Sequence, residues 1–334
     1  SAQNVSGSLM ADRNAIIDRF GRFLPVGFYY RAFYKPFGVW HWWERLIRKA
    51  AGLGVANLSA TPHYQDKQYL FCDVAVVGAG PAGLSAALKA AEGGASVMLI
   101  DEQPELGGAL TYHRFAVDNA PVRSEAETLI ANAASHPRIR VLTNALCNGW
   151  FTDHYLPVIQ GDRLFKVRAR SCVLATGSSE QHVVFRNNDL PGVVLCSALE
   201  RLLNHYALAP QGKLVVLAGN DQAWMTALTA AEAGLSVAAV VDLREAPDNT
   251  ALLAEANARG MTVHTGATVY TARRDAESQS LCGVDIYRID AQGEVGGLIA
   301  QTDCAVLAMS AGFMPAYQLA CQAGAKLDYD DDSA

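Results

Sequence analysis

The chain has 334 residues, room for two domains of ordinary size, and with 51% hydrophobic residues it can bury large cores. Its formal net charge of −6 argues against a nucleic-acid surface, and no run of 18 apolar residues is present to cross a membrane as a helix. The seven cysteines (72, 147, 172, 196, 282, 304 and 321) include no CxxC pair and the eight histidines are dispersed, so disulfides and a metal site are not expected; the pattern reads as reduced core thiols of a cytoplasmic protein.

Residues 1–70 differ from the rest. Ser1 to Asp12 is polar and lacks the apolar core of a signal peptide. Gly21 to Pro36 is aromatic and broken by Pro and Gly, which predicts irregular or briefly helical chain. Val39 to Gly52, with Trp40, Trp42 and Trp43, reads as an amphipathic helix ended by Gly52. A solvated tail would not carry so many rings. This arm either packs on its own domain or offers a contact surface to a partner subunit, since Trp, Tyr and Arg dominate interfaces. Thr61 to Tyr69 reads as a linker.

The next stretch organises the chain. Val74 to Val77 is a buried parallel strand, and Gly78-Ala-Gly80-Pro81-Ala82-Gly83 turns it into an Ala-rich helix over 82–92. Gly78 makes the sharp turn, Gly80 leaves room for a pyrophosphate, and Gly83 lets helix and strand pack closely. The helix N-terminus, entered through Pro81 and Ala82, offers N–H groups and partial positive charge to that pyrophosphate. A second strand, Ser96 to Ile100, ends in Asp101-Glu102, about twenty residues on, where an acid accepts hydrogen bonds from an adenosine ribose. Asp101 is the first choice and Glu102 the second. An acid here favours FAD or NAD over NADP. Gln103 follows, and Gly107-Gly108-Ala109 reads as a loop folding back over the pyrophosphate.

Arg123 to Ser135 is a predicted helix and Arg138 to Leu142 a strand. The main chain of Cys147 is a candidate adenine contact, a position common in this fold class. Phe151 to Ile159 and Leu164 to Arg170 pair through a turn at Gly161-Asp162. Ser171 to Gly177 is a strand ending in Ala-Thr176-Gly177, small enough for a ligand to approach. Ser197 to His205 is a helix.

A second nucleotide-fold pattern begins at Lys213, with Leu214 to Leu217 and Ser236 to Val241 as strands, Thr226 to Ala233 as helix and Asp242 at the acid position. Ala218, Asn220 and Ala223 stand where G-x-G-x-x-G/A needs its small residues. Side chains at the first two crowd a pyrophosphate, so the fold is expected without its ligand. Residues 262–270 and 283–289 read as strands, 271–280 as a hairpin connection, and Cys304 to Pro315 as a return to the first domain.

This order (fingerprint, acid, Gly-Gly, Ala-Thr-Gly, inserted second nucleotide fold, Gly-x-x-Pro) resembles the two-dinucleotide-domain flavoproteins of the glutathione-reductase type. Within them the chain resembles the alpha subunits of heterotetrameric sarcosine oxidases. The resemblance rests on Phe23-Leu-Pro-Val-Gly-Phe-Tyr-Tyr30, Arg48-Lys-Ala-Ala-Gly-Leu-Gly54, Cys72 to Gly83, Asp101-Glu-Gln103, Asn220-Asp221 and Ser310 to Pro315. It implies an α/β fold of two nested Rossmann-like domains with an aromatic N-terminal arm: arm and linker at 1–70, first domain at 71–205 and 300–334, second at 206–299. It implies NAD (or FAD) in the first domain, a beta subunit carrying FAD, FMN near the subunit boundary, small gamma and delta subunits, and a folate-binding half that passes formaldehyde to tetrahydrofolate. Against that family the chain begins after a ferredoxin-like domain and stops before the last nucleotide strand and the folate half, so it reads as a fragment. Ala109 stands where the family often has a hydroxyl. Two other functions compete: a subunit of a related FAD-dependent amine, opine or hydroxyproline dehydrogenase, and a non-catalytic assembly module.

Overall fold

The computed structural model describes residues 6–8, 11–23, 27, 33, 37–51, 56–60, 66–247, 249–290 and 292–329. The chain divides into two units, Ser1–Tyr64 and Gln65–Ala334. In the first, strands β1 (Gly7–Ser8) and β2 (Ala11–Asp12) pair antiparallel, a 3₁₀ helix spans Arg13–Phe23, and α1 spans Trp40–Ala50. Arg48 and Lys49 lie in the last turn of α1, where cations complement the helix dipole. The rings of Phe33 and Trp43 lie 4.5 Å apart. Most of the aromatic block at 23–36 and the expected stop at Gly52 lie outside the described residues.

The second unit is built on two sheets. The first has the order β5 (Ile139–Leu142), β4 (Val97–Ile100), β3 (Asp66–Val77), β8 (Arg163–Leu174), β7 (Tyr155–Gln160), β6 (Leu146–Cys147). Its β5-β4-β3-β8 part is parallel, and β7 and β6 join antiparallel. The apolar runs at 74–77 and 97–100 are buried because the parallel part is covered on both faces. Helices α2 (Pro81–Glu92) and α3 (Ala120–Ser135) cover one face, where Leu84, Ala87 and Ala133 pack on Val76 and Leu99. The other face packs Met98 and Ile100 against Leu156, Phe165 and Val167.

The second sheet is parallel, in the order β10 (Val193–Leu195), β17 (Val306–Ser310), β11 (Lys213–Ala218), β12 (Ser236–Asp242), β13 (Thr262–Thr265). One face carries α4 (Cys196–Glu200), α5 (Asp221–Glu232) and α6 (Thr250–Ala258) around Trp224. The other carries an antiparallel sheet of β14 (Ala267–Arg274), β15 (Leu281–Ile289) and β16 (Val295–Asp303). Strands β9 (Ser178–Gln181) and β18 (Gly312–Pro315) pair antiparallel, and α7 (Gln318–Gln322) follows.

Several expectations change. The stretch read as a linker up to Tyr69 is strand from Asp66 onward, because β3 continues alongside β8. The strands expected at 164–170 and 171–177 are one continuous β8, which ends at Leu174. The helix expected at 197–205 turns π-helical at Arg201–His205. The connection between β14 and β15 is only 275–280, because main-chain pairing carries the strand to Arg274. The domain edges also move: Val193–Leu195 and Val306–Ser310 pair within the second sheet, so the chain passes between the two sheets through β9 and β18, not at 205 and 300. No described helix is long and apolar enough to cross a membrane.

Candidate dinucleotide site

The fingerprint turn is held from three sides. Gly78 has φ +100°, a backbone that side chains rarely adopt, and its N–H donates to Ile100 O at 2.8 Å. An added Cβ would fall 2.1 Å from Ala175 O, so β8 closes against the turn. At Gly83 an added Cβ would meet Gly78 O at 1.8 Å, the close strand–helix contact expected from the sequence. Gly80 is different. It caps α2 with φ −72° and ψ −175°, an ordinary extended conformation, and an added Cβ would touch nothing within 4 Å. Its glycine is not required by its neighbours within the chain.

Pro81 and Ala82 open α2 at the surface. The helix has no side-chain cap and no acid in its first turn, so no side chain of α2 itself offsets its N-terminal N–H groups and dipole. That is the electrostatic seat of an anion.

Asp101 directs its carboxylate into the turn. Oδ2 accepts the Ala79 N–H at 2.5 Å and Oδ1 accepts the Gln103 N–H at 2.8 Å. An ionised carboxylate offers about four lone-pair sites, so capacity for a sugar hydroxyl remains. Glu102 is exposed, and its Oε1 accepts from the Gln103 side-chain amide at 3.4 Å. The Gly-Gly loop lies against the turn: Gly107 N–H donates to Ala79 O at 2.8 Å, and a Cβ on Gly108 would lie 3.0 Å from Gly80 Cα. Ala109 follows, its carbonyl accepting from Tyr112 and His113 N–H.

The chain beyond β5 returns to the acids, with Asn144 N–H on Gln103 O (3.0 Å) and Ala145 N–H on Asp101 O (2.9 Å). Cys147 lies two residues further, half-buried, and burial pushes its thiol pKa up. Thr176 and Gly177 close the end of β8: Thr176 Oγ1 donates to Ala316 O (2.8 Å) and Ala316 N–H to Gly177 O (3.0 Å). The fold thus gathers Gly78 to Gly83, Asp101 to Gln103, Gly108 and Ala109 around one turn, with Thr176 and Gly177 in the segment between β8 and β9 and Cys147 on the edge strand β6.

The second fingerprint is filled by its own side chains. Asn220 Oδ1 accepts the Ala223 N–H at 3.2 Å, capping α5, and its Nδ2 donates to Ser310 Oγ at 3.0 Å. Asp221 places a negative charge in the first turn, where a phosphate would sit. Arg244 bridges Asp221 (3.0 Å) and the fully buried Asp242 (2.9 Å), and Trp224 Nε1 donates to Asp242 at 2.6 Å.

One buried cluster has no local signature. His113 Nδ1 contacts Glu200, which also receives hydrogen bonds from Gln222 and Thr226. Glu200 is fully buried, and burial raises its carboxyl above the ordinary value. These residues lie up to 113 positions apart, so no spacing could reveal them.

Two sheets with parallel strands at their centres, each with a strand–turn–helix unit at the fingerprint position, define the class: nested folds of the FAD- or NAD(P)-binding type. Residues 72–332 match the family model described as pyridine nucleotide-disulphide oxidoreductase, and the chain belongs to that family. It is 32% identical to the sarcosine oxidase subunit alpha of Rhizobium meliloti over 97% of this chain and 33% of that protein. It is 33% identical to the subunit of the same name from Corynebacterium sp. (strain U-96), over 84% of this chain and 30% of the relative. The chain therefore spans about a third of the length of these curated relatives. Among solved structures, T. acidophilum thioredoxin reductase superposes with a TM-score of 0.61 at 20% identity, covering 77% of this chain and 82% of the other.

Proposed function

We propose that the turn at 78–83 holds the diphosphate of an adenine dinucleotide, and that the chain is the nucleotide-holding part of an alpha subunit in a sarcosine-oxidising assembly. The observation that carries this reading is the open, uncapped turn at Gly80 within a chain 32% identical, over nearly its whole length, to a sarcosine oxidase alpha subunit. The residues fit the group. The α2 N-terminus meets the diphosphate, Asp101 and Glu102 the ribose hydroxyls, Gln103, Gly108 and Ala109 the closing loop, the Cys147 main chain the adenine, and Thr176 and Gly177 the far end.

NAD is the proposed occupant, with FAD the alternative; when bound, either supplies a ring that accepts or releases a hydride. The chain's own part is to bind and orient. Asp101 holds the turn open through Ala79, and the Gly107–Ala79 bond keeps the loop over it. The second domain carries no dinucleotide on this reading, because Asn220, Asp221 and Arg244 occupy its place. The reaction, oxidative demethylation of sarcosine with transfer of formaldehyde to tetrahydrofolate, belongs to the assembly. That assembly comprises a beta subunit with FAD, FMN at the boundary, and gamma and delta subunits, in the cytoplasm.

Denaturing the purified chain and identifying the released nucleotide by absorbance and mass tests the first half. A colourless adenine-absorbing release means NAD, a yellow one flavin, and none refutes the site. An intact assembly that fails to consume oxygen with sarcosine refutes the second half.

A further inference from the structure

The outer part of the first sheet has one face in the core and one in solvent. Leu156, Val158, Phe165 and Val167 point inward. On such a sheet the outward positions are ordinarily polar. Here Tyr69, Phe71, Phe151 and Ile159 are exposed by 64, 74, 56 and 40%. The register puts them on one surface. Tyr69 pairs with Lys166 and Phe71 with Arg168; Arg168 pairs in turn with Tyr155, which bridges to Phe151. Lys166 Nζ lies 4.9 Å from the Tyr69 ring centroid, and the Arg168 guanidinium 5.2 Å from that of Tyr155. The rings are therefore held in place by cations rather than buried.

The charge of this face is opposite to that of the chain. Strand alternation puts Lys67, Lys166, Arg168 and Arg170 on it, against Asp73 and Asp153, which pair with Arg170 and Arg168. The face is thus net positive on a chain of net −6. Ordered Tyr and Arg, exposed apolar area and one sign of charge are the marks of an interface.

We infer that this face docks a separate polypeptide whose contact surface sets apolar side chains among carboxylates. A second copy meeting it face to face would bring like charges together, which disfavours self-association here. The inference rests on the subunit reading above.

The full chain, tagged and purified from its source as the native assembly, tests it by zero-length carbodiimide cross-linking and by acetylation. Expected are links from Lys67 or Lys166 to Asp or Glu of a different polypeptide, and acetylation of both lysines at least tenfold slower in the assembly than in the separated chain. Lys89, exposed on α2, should label equally in both. Lys67→Glu, which alters an exposed group outside the Lys166–Tyr69 and Arg168–Tyr155 pairs, should leave thermal unfolding unchanged and weaken retention of that polypeptide. Links confined to this chain's own carboxylates, within one copy or between isotopically distinguished copies, overturn the inference. So do unchanged labelling, or a chain that purifies free of any other polypeptide. An assembly that protects this face yet leaves sarcosine unoxidised keeps the inference and refutes the proposed reaction.

Discussion

Alanine at Gly80 and alanine at Gly83 should fail in opposite ways, because one glycine answers to a ligand and the other to the fold. At Gly83 the new Cβ would lie 1.8 Å from Gly78 O, where real Cβ atoms essentially never come within 3.0 Å. Strand and helix must part by more than an ångström, and both are main chain, so no side chain can swing aside. Overpacking of a close-packed contact costs about 1–3 kcal/mol, and this one falls at the upper end. At Gly80 the backbone is already in a region open to alanine and the Cβ meets nothing. That substitution should be neutral or stabilise by about 0.4–1 kcal/mol through the unfolded chain. The same methyl, however, stands where the diphosphate is proposed to lie. Displacing the ligand should cost about 1–3 kcal/mol, a weakening of roughly fivefold to more than a hundredfold. Urea titration by circular dichroism, alongside titration of the nucleotide-free chain with NAD and FAD, separates the two. A Gly80→Ala chain that binds like the parent, or a Gly83→Ala chain as stable as the parent, would refute the assignment of these roles.

Asp101→Asn should lower stability by about 1–3 kcal/mol, because an amide cannot accept both main-chain N–H groups, whereas Glu102→Gln should leave stability unchanged and weaken only nucleotide binding. Arg244→Met strands the buried Asp242 and should cost about 3–5 kcal/mol in urea unfolding, while Arg244→Met with Asp242→Asn should recover most of it. Glu200 has its pKa raised by burial, so the folded chain binds more protons than the unfolded one above the ordinary carboxylate pKa. Stability should therefore fall as pH rises from the ordinary carboxylate value through the raised one, and the urea midpoint of Glu200→Gln should lack that fall. Burial pushes the Cys72 thiol up to about 11 and those of Cys172 and Cys304 to about 12, so mass mapping of alkylation at pH 8 should find rapid modification only at the exposed Cys282 and Cys321.

The first nucleotide fold was legible because its signals are local. A buried run, a turn carrying glycines at fixed offsets and an Ala-rich helix are set by neighbours in sequence, so Val74 to Gly83 and Asp101 could be read directly. The crowding at Asn220 was legible for the same reason. The length of β3 was not: Asp66 to Tyr69 is polar enough to pass for a linker and becomes strand only because β8 lies beside it. The placement of Val306–Ser310 was misread in the same way, since an apolar run states that it is buried but not in which sheet.

Sequence alone thus determined the glycine turn between strand and helix, because the backbone conformation at Gly78 and the small volume at Gly83 are properties of single residues. Tertiary structure alone decided what surrounds that place. It turned Asp101 inward onto the turn, set Arg244 between two acids, buried Glu200 against His113, and lined Tyr69 and Phe71 up with Lys166 and Arg168 on an open face. Each depends on which distant segments meet, and that is settled by sheet order and burial across the whole unit rather than by any stretch of the chain.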